Sequence, residues 1–138
     1  MARLLSIDYG AKRTGLAVTD PAKIVPGGLC TVLTKDLMTF LLDYVKREPV
    51  ERFIVGYPKQ TNGRDSENLQ RVRSFVGQLN KALPDIPVTW YDERYTSVMA
   101  HQTMIDAGLG RKARQNKALV DEISATIILR DYMTYGGN

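Results

Sequence analysis

The chain has 138 residues, 43% hydrophobic and 25% charged, a composition that suits one ordinary core spanning residues 1–138 and excludes a disordered tail. Nineteen Lys and Arg against fifteen Asp and Glu leave a net charge of +4, and a lone cysteine, Cys30, excludes an intrachain disulfide or a Cys-based zinc site. No apolar stretch reaches the roughly 18–20 residues of a membrane span and the N-terminus lacks a signal-peptide pattern, so a cytoplasmic protein with no membrane partner is expected.

The first element is a buried-strand run, Leu4-Leu5-Ser6-Ile7, that ends on Asp8. Gly10 and Gly15 bracket a basic turn carrying Lys12 and Arg13, and a second strand, Leu16-Ala17-Val18-Thr19, follows. Pro21 and Pro26 punctuate the loop before a third strand over residues 27–33, which would bury Cys30, so three antiparallel strands come first. Thr34 is placed to cap a helix from Lys35 to Glu48, with Leu37, Met38, Leu41, Leu42 and Val45 at helical spacing and Pro49 as its stop.

A short apolar strand, Phe53-Ile54-Val55, then ends at Gly56-Tyr57-Pro58. Ser66 opens a helix whose apolar face is Leu69, Val72, Phe75, Val76 and Leu79, and Val88-Thr89-Trp90-Tyr91 makes a fifth strand ending at Asp92-Glu93-Arg94. Two more helices, about 96–107 and 118–134, flank a basic run from Arg111 to Lys117. Strands alternating with helices need crossover connections, so the first, fourth and fifth strands should be parallel. The expected fold class is α/β, a five-stranded mixed sheet flanked by helices.

In such a sheet the carboxyl ends of the parallel strands open on one edge, where ligand crevices form. Asp8 and Glu93 would share that edge, although Glu93 could equally cap the following helix. Asp121, with Ser124, Ala125 and Ile128 on one face of the last helix, would point inward beside them. Buried acids need partners. Three carboxylates without a Cys/His set favour a hard cation, Mg²⁺ or Mn²⁺, over zinc.

His101 is the lone histidine and reads as a packing or surface residue; no G-x-S-x-G elbow, Walker A loop or G-x-G-x-x-G fingerprint occurs. Lys12, Arg13, Arg94, Arg111, Lys112, Arg114 and Lys117 would surround the acidic edge with positive charge, the footprint of a polyanion such as nucleic acid. An acid before a Gly-rich hairpin suits either a metal-dependent nuclease of the ribonuclease H type or an actin-like ATP-binding fold. Actin-like enzymes close a cleft between two such domains, which this length does not supply.

These segments resemble the YqgF (RuvX) family, bacterial relatives of the RuvC resolvases on a ribonuclease H-like fold. The likeness spans nearly the whole chain. It rests on Asp8-Tyr9-Gly10 with Arg13-Thr14-Gly15-Leu16-Ala17-Val18, on Val55-Gly56-Tyr57-Pro58 with Asn62-Gly63, on Asp92-Glu93-Arg94-Tyr95-Thr96-Ser97, and on Asn116-Lys117 leading to Val120-Asp121 and Ser124-Ala125. The resemblance implies Asp8, Glu93 and Asp121 as the catalytic, metal-holding acids, and a nuclease in 5′-end maturation of pre-16S ribosomal RNA. Holliday-junction cleavage of branched DNA is the alternative it carries, and a non-catalytic RNA-binding factor of ribosome assembly is a third. Leu is common in that family where Tyr95 stands, and resolvases of the RuvC type carry a further acid one helical turn after the last, where this chain has Ser124 or Ala125. That difference favours the nuclease over the resolvase. Two-ion phosphodiester hydrolysis leaving 5′-phosphate and 3′-hydroxyl ends is expected, by a monomer or weak homodimer that could meet ribosomal particles.

Overall fold

The computed structural model describes residues 2–58, 67–93, 102, 105, 108 and 116–136, with positions 57, 58, 67, 68, 92, 93, 135 and 136 given through their backbone. Alternation along the first strand sets the architecture. In β1 (Arg3–Asp8), Leu5 and Ile7 face one side of the sheet and Leu4 and Ser6 the other, and all four are buried, so both faces must be covered.

β1 pairs antiparallel with β2 (Arg13–Thr19), and β2 pairs antiparallel with β3 (Pro26–Leu33). On its other side β1 runs parallel to β4 (Val50–Pro58), which runs parallel to β5 (Val88–Glu93), giving the order β3-β2-β1-β4-β5. The expected mixture of antiparallel and parallel strands is therefore present. One face packs Leu5, Ile7, Phe53 and Val55 beneath α1 (Leu37–Arg47) and α2 (Glu67–Ala82), through Leu37, Leu41, Tyr44, Val72, Val76 and Leu79. The opposite face packs Leu4, Ala17 and Ile54 under Ala125, Ile128 and Leu129 of α3 (Lys117–Asp131). α3 carries apolar residues on nearly every side, the pattern of a helix buried on more than its sheet-facing side.

Several boundaries differ from the sequence expectation. Thr34 does not cap α1: residues Thr34–Asp36 form a 3₁₀ turn and α1 begins at Leu37. The Thr34 hydroxyl is committed elsewhere, donating to the Gly10 carbonyl at 2.6 Å. β4 and β5 are longer than their apolar cores, because backbone pairing continues through Tyr57 with Asp92 and Pro58 with Glu93. Glu93 thus ends a strand, and the segment it could cap lies outside the described residues. Cys30, opposite Leu16 in β3, is only partly buried. α3 stops at Asp131 and widens into a π-helical turn, Tyr132–Gly136. Of the helix expected at 96–107 only Gln102 and Ile105 are described, both helical; the rest lies outside the described residues. No described helix is long and apolar enough to cross a membrane.

Candidate active site at the carboxyl edge of the sheet

Asp8 is the last residue of β1 and is partly buried. Its register partners are Gly15 on one side and Gly56 on the other. A carboxylate between two glycines has no neighbouring Cβ in its row, so the sheet floor beside it is low and open to close approach. Gly56 pairs in turn with Tyr91, and Glu93 follows two residues later, so the backbone places position 93 on the same edge and the same strand alternation as Asp8. The Glu93 side chain lies outside the described residues.

Asp121 reaches this edge because α3 crosses β2 at Gly15. A Cβ built on Gly15 would collide with the Asp121 carbonyl and would stand 2.9 Å from the Glu122 amide nitrogen, so only glycine lets the helix lie this deep. The contact seats Asp121 against the register partner of Asp8. Two acids separated by most of the chain are thereby brought to one row of the sheet.

Arg13 is the cation of this site. Its Nε donates to Asp121 Oδ2 at 3.3 Å, with the Asp121 side chain 27% exposed and that of Arg13 35%. Burial pushes the Asp121 carboxyl above its ordinary value, and the hydrogen bond and charge of Arg13, with the charge of Lys117, pull it back only in part. Arg13 itself stands at the end of a braced turn: Thr34 N–H donates to the Lys12 carbonyl at 2.9 Å and Thr34 Oγ1 to the Gly10 carbonyl. Thr14 Oγ1 lies 2.9 Å from Thr34 Oγ1, and a Cβ on Gly10 would run into the Arg13 carbonyl.

Lys12 is exposed on this turn and Lys117 on the first turn of α3, whose Asn116 side chain accepts from the Leu119 amide at 3.3 Å. Both belong to the end of the molecule that carries Asp8 and Asp121. Arg94, Arg111, Lys112 and Arg114 lie outside the described residues, as do Tyr95 and His101. Of the remaining tyrosines near this edge, Tyr91 packs edge-on against Tyr132, with ring centroids 6.4 Å apart, and belongs to the core.

Sequence reasoning missed three features. The Arg13–Asp121 pair spans 108 positions, and Thr34 braces a turn 24 residues away. The third is the hydroxyl of Ser124, buried with no hydrogen-bond partner among the described residues. For a divalent cation the donor chemistry fits: carboxylate oxygens of Asp8 and Asp121, and an orphaned hydroxyl one helical turn along. Among the described residues no group of three His, Cys, Asp or Glu side chains gathers, the third expected ligand being Glu93.

The profile of the RuvX family, described as Holliday junction resolvase, matches residues 2–135. A protein of Phocaeicola vulgatus named "Putative pre-16S rRNA nuclease" is 62% identical over 133 residues, covering 96% of both chains. A protein of the same name from Flavobacterium johnsoniae is 53% identical over 134 residues, covering 97% of each. Among solved structures, Thermus thermophilus RuvC in complex with a Holliday junction substrate superposes with a TM-score of 0.60 at 18% identity, over 99% of this chain and 97% of that one. Fowlpox virus resolvase, solved with Holliday junction DNA, gives 0.56 at 16% identity over 96% and 97%. These likenesses bear out the ribonuclease H-like sheet.

Proposed function

The chain belongs to the RuvX family, and from that premise we propose that it is a metal-dependent nuclease that hydrolyses phosphodiester bonds of structured RNA, in 5′-end processing of pre-16S ribosomal RNA. The observation that carries this reading is the row Gly15–Asp8–Gly56 with Asp121 seated on Gly15: two acids from distant parts of the chain brought to one row, with only glycines flanking Asp8 so that backbone can approach it closely. The names borne by the relatives support the substrate class.

Asp8, Glu93 and Asp121 would hold two Mg²⁺ or Mn²⁺ ions. Bound there, the ions would polarise the phosphate and lower the pKa of a coordinated water. The chain's own residues do the rest. Asp8, fixed by pairing on both edges of β1, supplies a ligand that cannot drift, and α3 delivers Asp121 on a rigid element. Arg13 holds Asp121 in its ligand orientation and offers its remaining guanidinium donors to a phosphate oxygen. Lys12, Lys117, Arg94 and the run Arg111, Lys112 and Arg114 would grip the strand through its phosphates, with little readout of sequence.

A second reading, cleavage of four-way DNA junctions, is favoured by the description of the RuvX family. Cleavage of structured RNA, single-stranded RNA and a four-way DNA junction, compared with Mg²⁺, Mn²⁺ and chelator, separates the two. Metal-dependent cutting of structured RNA is expected; cutting confined to the junction would replace the first reading with the second.

A further inference from the structure

Ser124 is 1% exposed, and its Oγ has no hydrogen-bond partner among the described residues. A serine inside a helix ordinarily satisfies its hydroxyl on the carbonyl four residues back. Two other hydroxyls of this segment do so: Thr126 Oγ1 donates to the Glu122 carbonyl and Thr134 Oγ1 to the Arg130 carbonyl, each at 2.9 Å. Ser124 forgoes that bond, and a buried hydroxyl left unsatisfied costs stability. Its hydroxyl is left open to a water or a ligand group.

The packing of α3 tells which way the hydroxyl lies. A Cβ on Gly28 would strike the Glu122 side chain, and Gly28 belongs to the row Gly28–Ala17–Ser6, so the Glu122 flank of the helix faces the Ser6 row. Ser6 Oγ donates to the Ala125 carbonyl at 2.6 Å from that row. At about 100° per residue, Ser124 stands about 200° round the helix from Glu122. Its flank is the opposite one, toward the next row, Gly15–Asp8–Gly56. It also lies three residues from Asp121, on the turn above it.

We propose that Ser124 is a positioning residue whose hydroxyl anchors the hydration shell of the divalent cation held by Asp8 and Asp121. The inference rests on the metal reading of that edge. Mg²⁺ and Mn²⁺ keep several waters when bound by few carboxylates, and such waters donate hydrogen bonds to nearby protein oxygens. Ser124 offers one, at a buried position that its own helix leaves unpaired.

The test uses the full chain freed of metal. Mn²⁺ affinity is measured by titration calorimetry, and thermal melts are recorded with and without Mn²⁺, for the parent, Ser124→Ala, Thr126→Ala and Asp8→Asn. Ser124→Ala should melt roughly 3 °C higher without metal, because the orphaned hydroxyl is gone, and bind Mn²⁺ about tenfold more weakly, because the outer-shell anchor is gone. Thr126→Ala should bind Mn²⁺ as the parent does, and Asp8→Asn should lose binding. Parental Mn²⁺ affinity in Ser124→Ala, or a lower melting temperature without metal, would overturn the role of Ser124 alone, since a hydroxyl that simply bonds its helix gives that pattern. A parent that binds no Mn²⁺ would overturn the site reading and this inference together.

Discussion

The peptide carbonyl of Asp121 occupies the space where Gly15 would carry a side chain. Because Gly15 is also the register partner of Asp8, one missing methyl group sets the separation of two acids that lie on different elements. Gly15→Ala should push α3 off the sheet, lowering stability by about 1–3 kcal/mol and abolishing metal-dependent activity even though every acid is retained. Gly77→Ala is the control: a Cβ there meets nothing, and α2 should gain about 0.5–1 kcal/mol from the better helix former. Urea unfolding and cleavage assays on both variants check this.

Asp121 makes stability depend on pH in a definite direction. Burial raises its carboxyl above the ordinary value, so the folded state holds the proton more tightly than the unfolded chain. Its cost is fully present above the raised folded value and disappears as pH falls through that value toward the ordinary one. Without metal, Asp121→Asn should therefore be at least as stable as the parent at neutral pH, despite giving up its ion pair with Arg13, and the difference should vanish in acid. Melting temperatures over a pH series decide it; a variant markedly less stable at neutral pH would mean that the Arg13 pair outweighs desolvation.

The turn that presents Lys12 and Arg13 is held by Thr34. Thr34→Val keeps the shape, removes the hydroxyl that serves Gly10 and Thr14, and should cost about 1–2 kcal/mol in chemical denaturation. It should also weaken binding of a short RNA, because Arg13 loses its fixed base.

Neutralising Lys112, Arg114 and Lys117 together should weaken nucleic-acid binding and flatten its salt dependence by about one slope unit for each phosphate no longer neutralised. Cleavage of a very short substrate should change less than strand binding, since on this reading the basic run would grip the strand and the acids would hold the metal. Binding measured over a salt series with a labelled oligonucleotide checks it; an unaltered slope would remove the basic run from the interface.

The sheet was legible because its physics is local. Alternation over Leu4–Asp8, a helix stop at Pro49 and apolar strands separated by helical spacing leave few topologies open, and parallel strands then bring Asp8 and Glu93 to one edge. Contacts chosen between competing partners were not legible. Thr34 could satisfy either its own helix or a carbonyl in the first hairpin, and only the folded turn decides for Gly10. Arg13 read as a phosphate contact, whereas its Nε lies on Asp121, a pairing that exists only once α3 has crossed β2. Ser124 was legible as a small inward residue at or beside the position where resolvases of the RuvC type carry an acid, but its unpaired hydroxyl was not, because an absent hydrogen bond is a property of packing.

The most direct measurement is cleavage of a structured RNA by the parent and by Asp8→Asn, with Mg²⁺, Mn²⁺ or chelator, alongside a thermal melt of each. Asn keeps the volume of Asp8 and its place between Gly15 and Gly56 while removing one charged ligand. The expected result is metal-dependent cleavage by the parent and, in a folded variant, a loss of roughly a hundredfold or more. A folded Asp8→Asn that cuts at the parental rate, or parental cutting indifferent to chelator, would contradict a metal-dependent nuclease centred on Asp8.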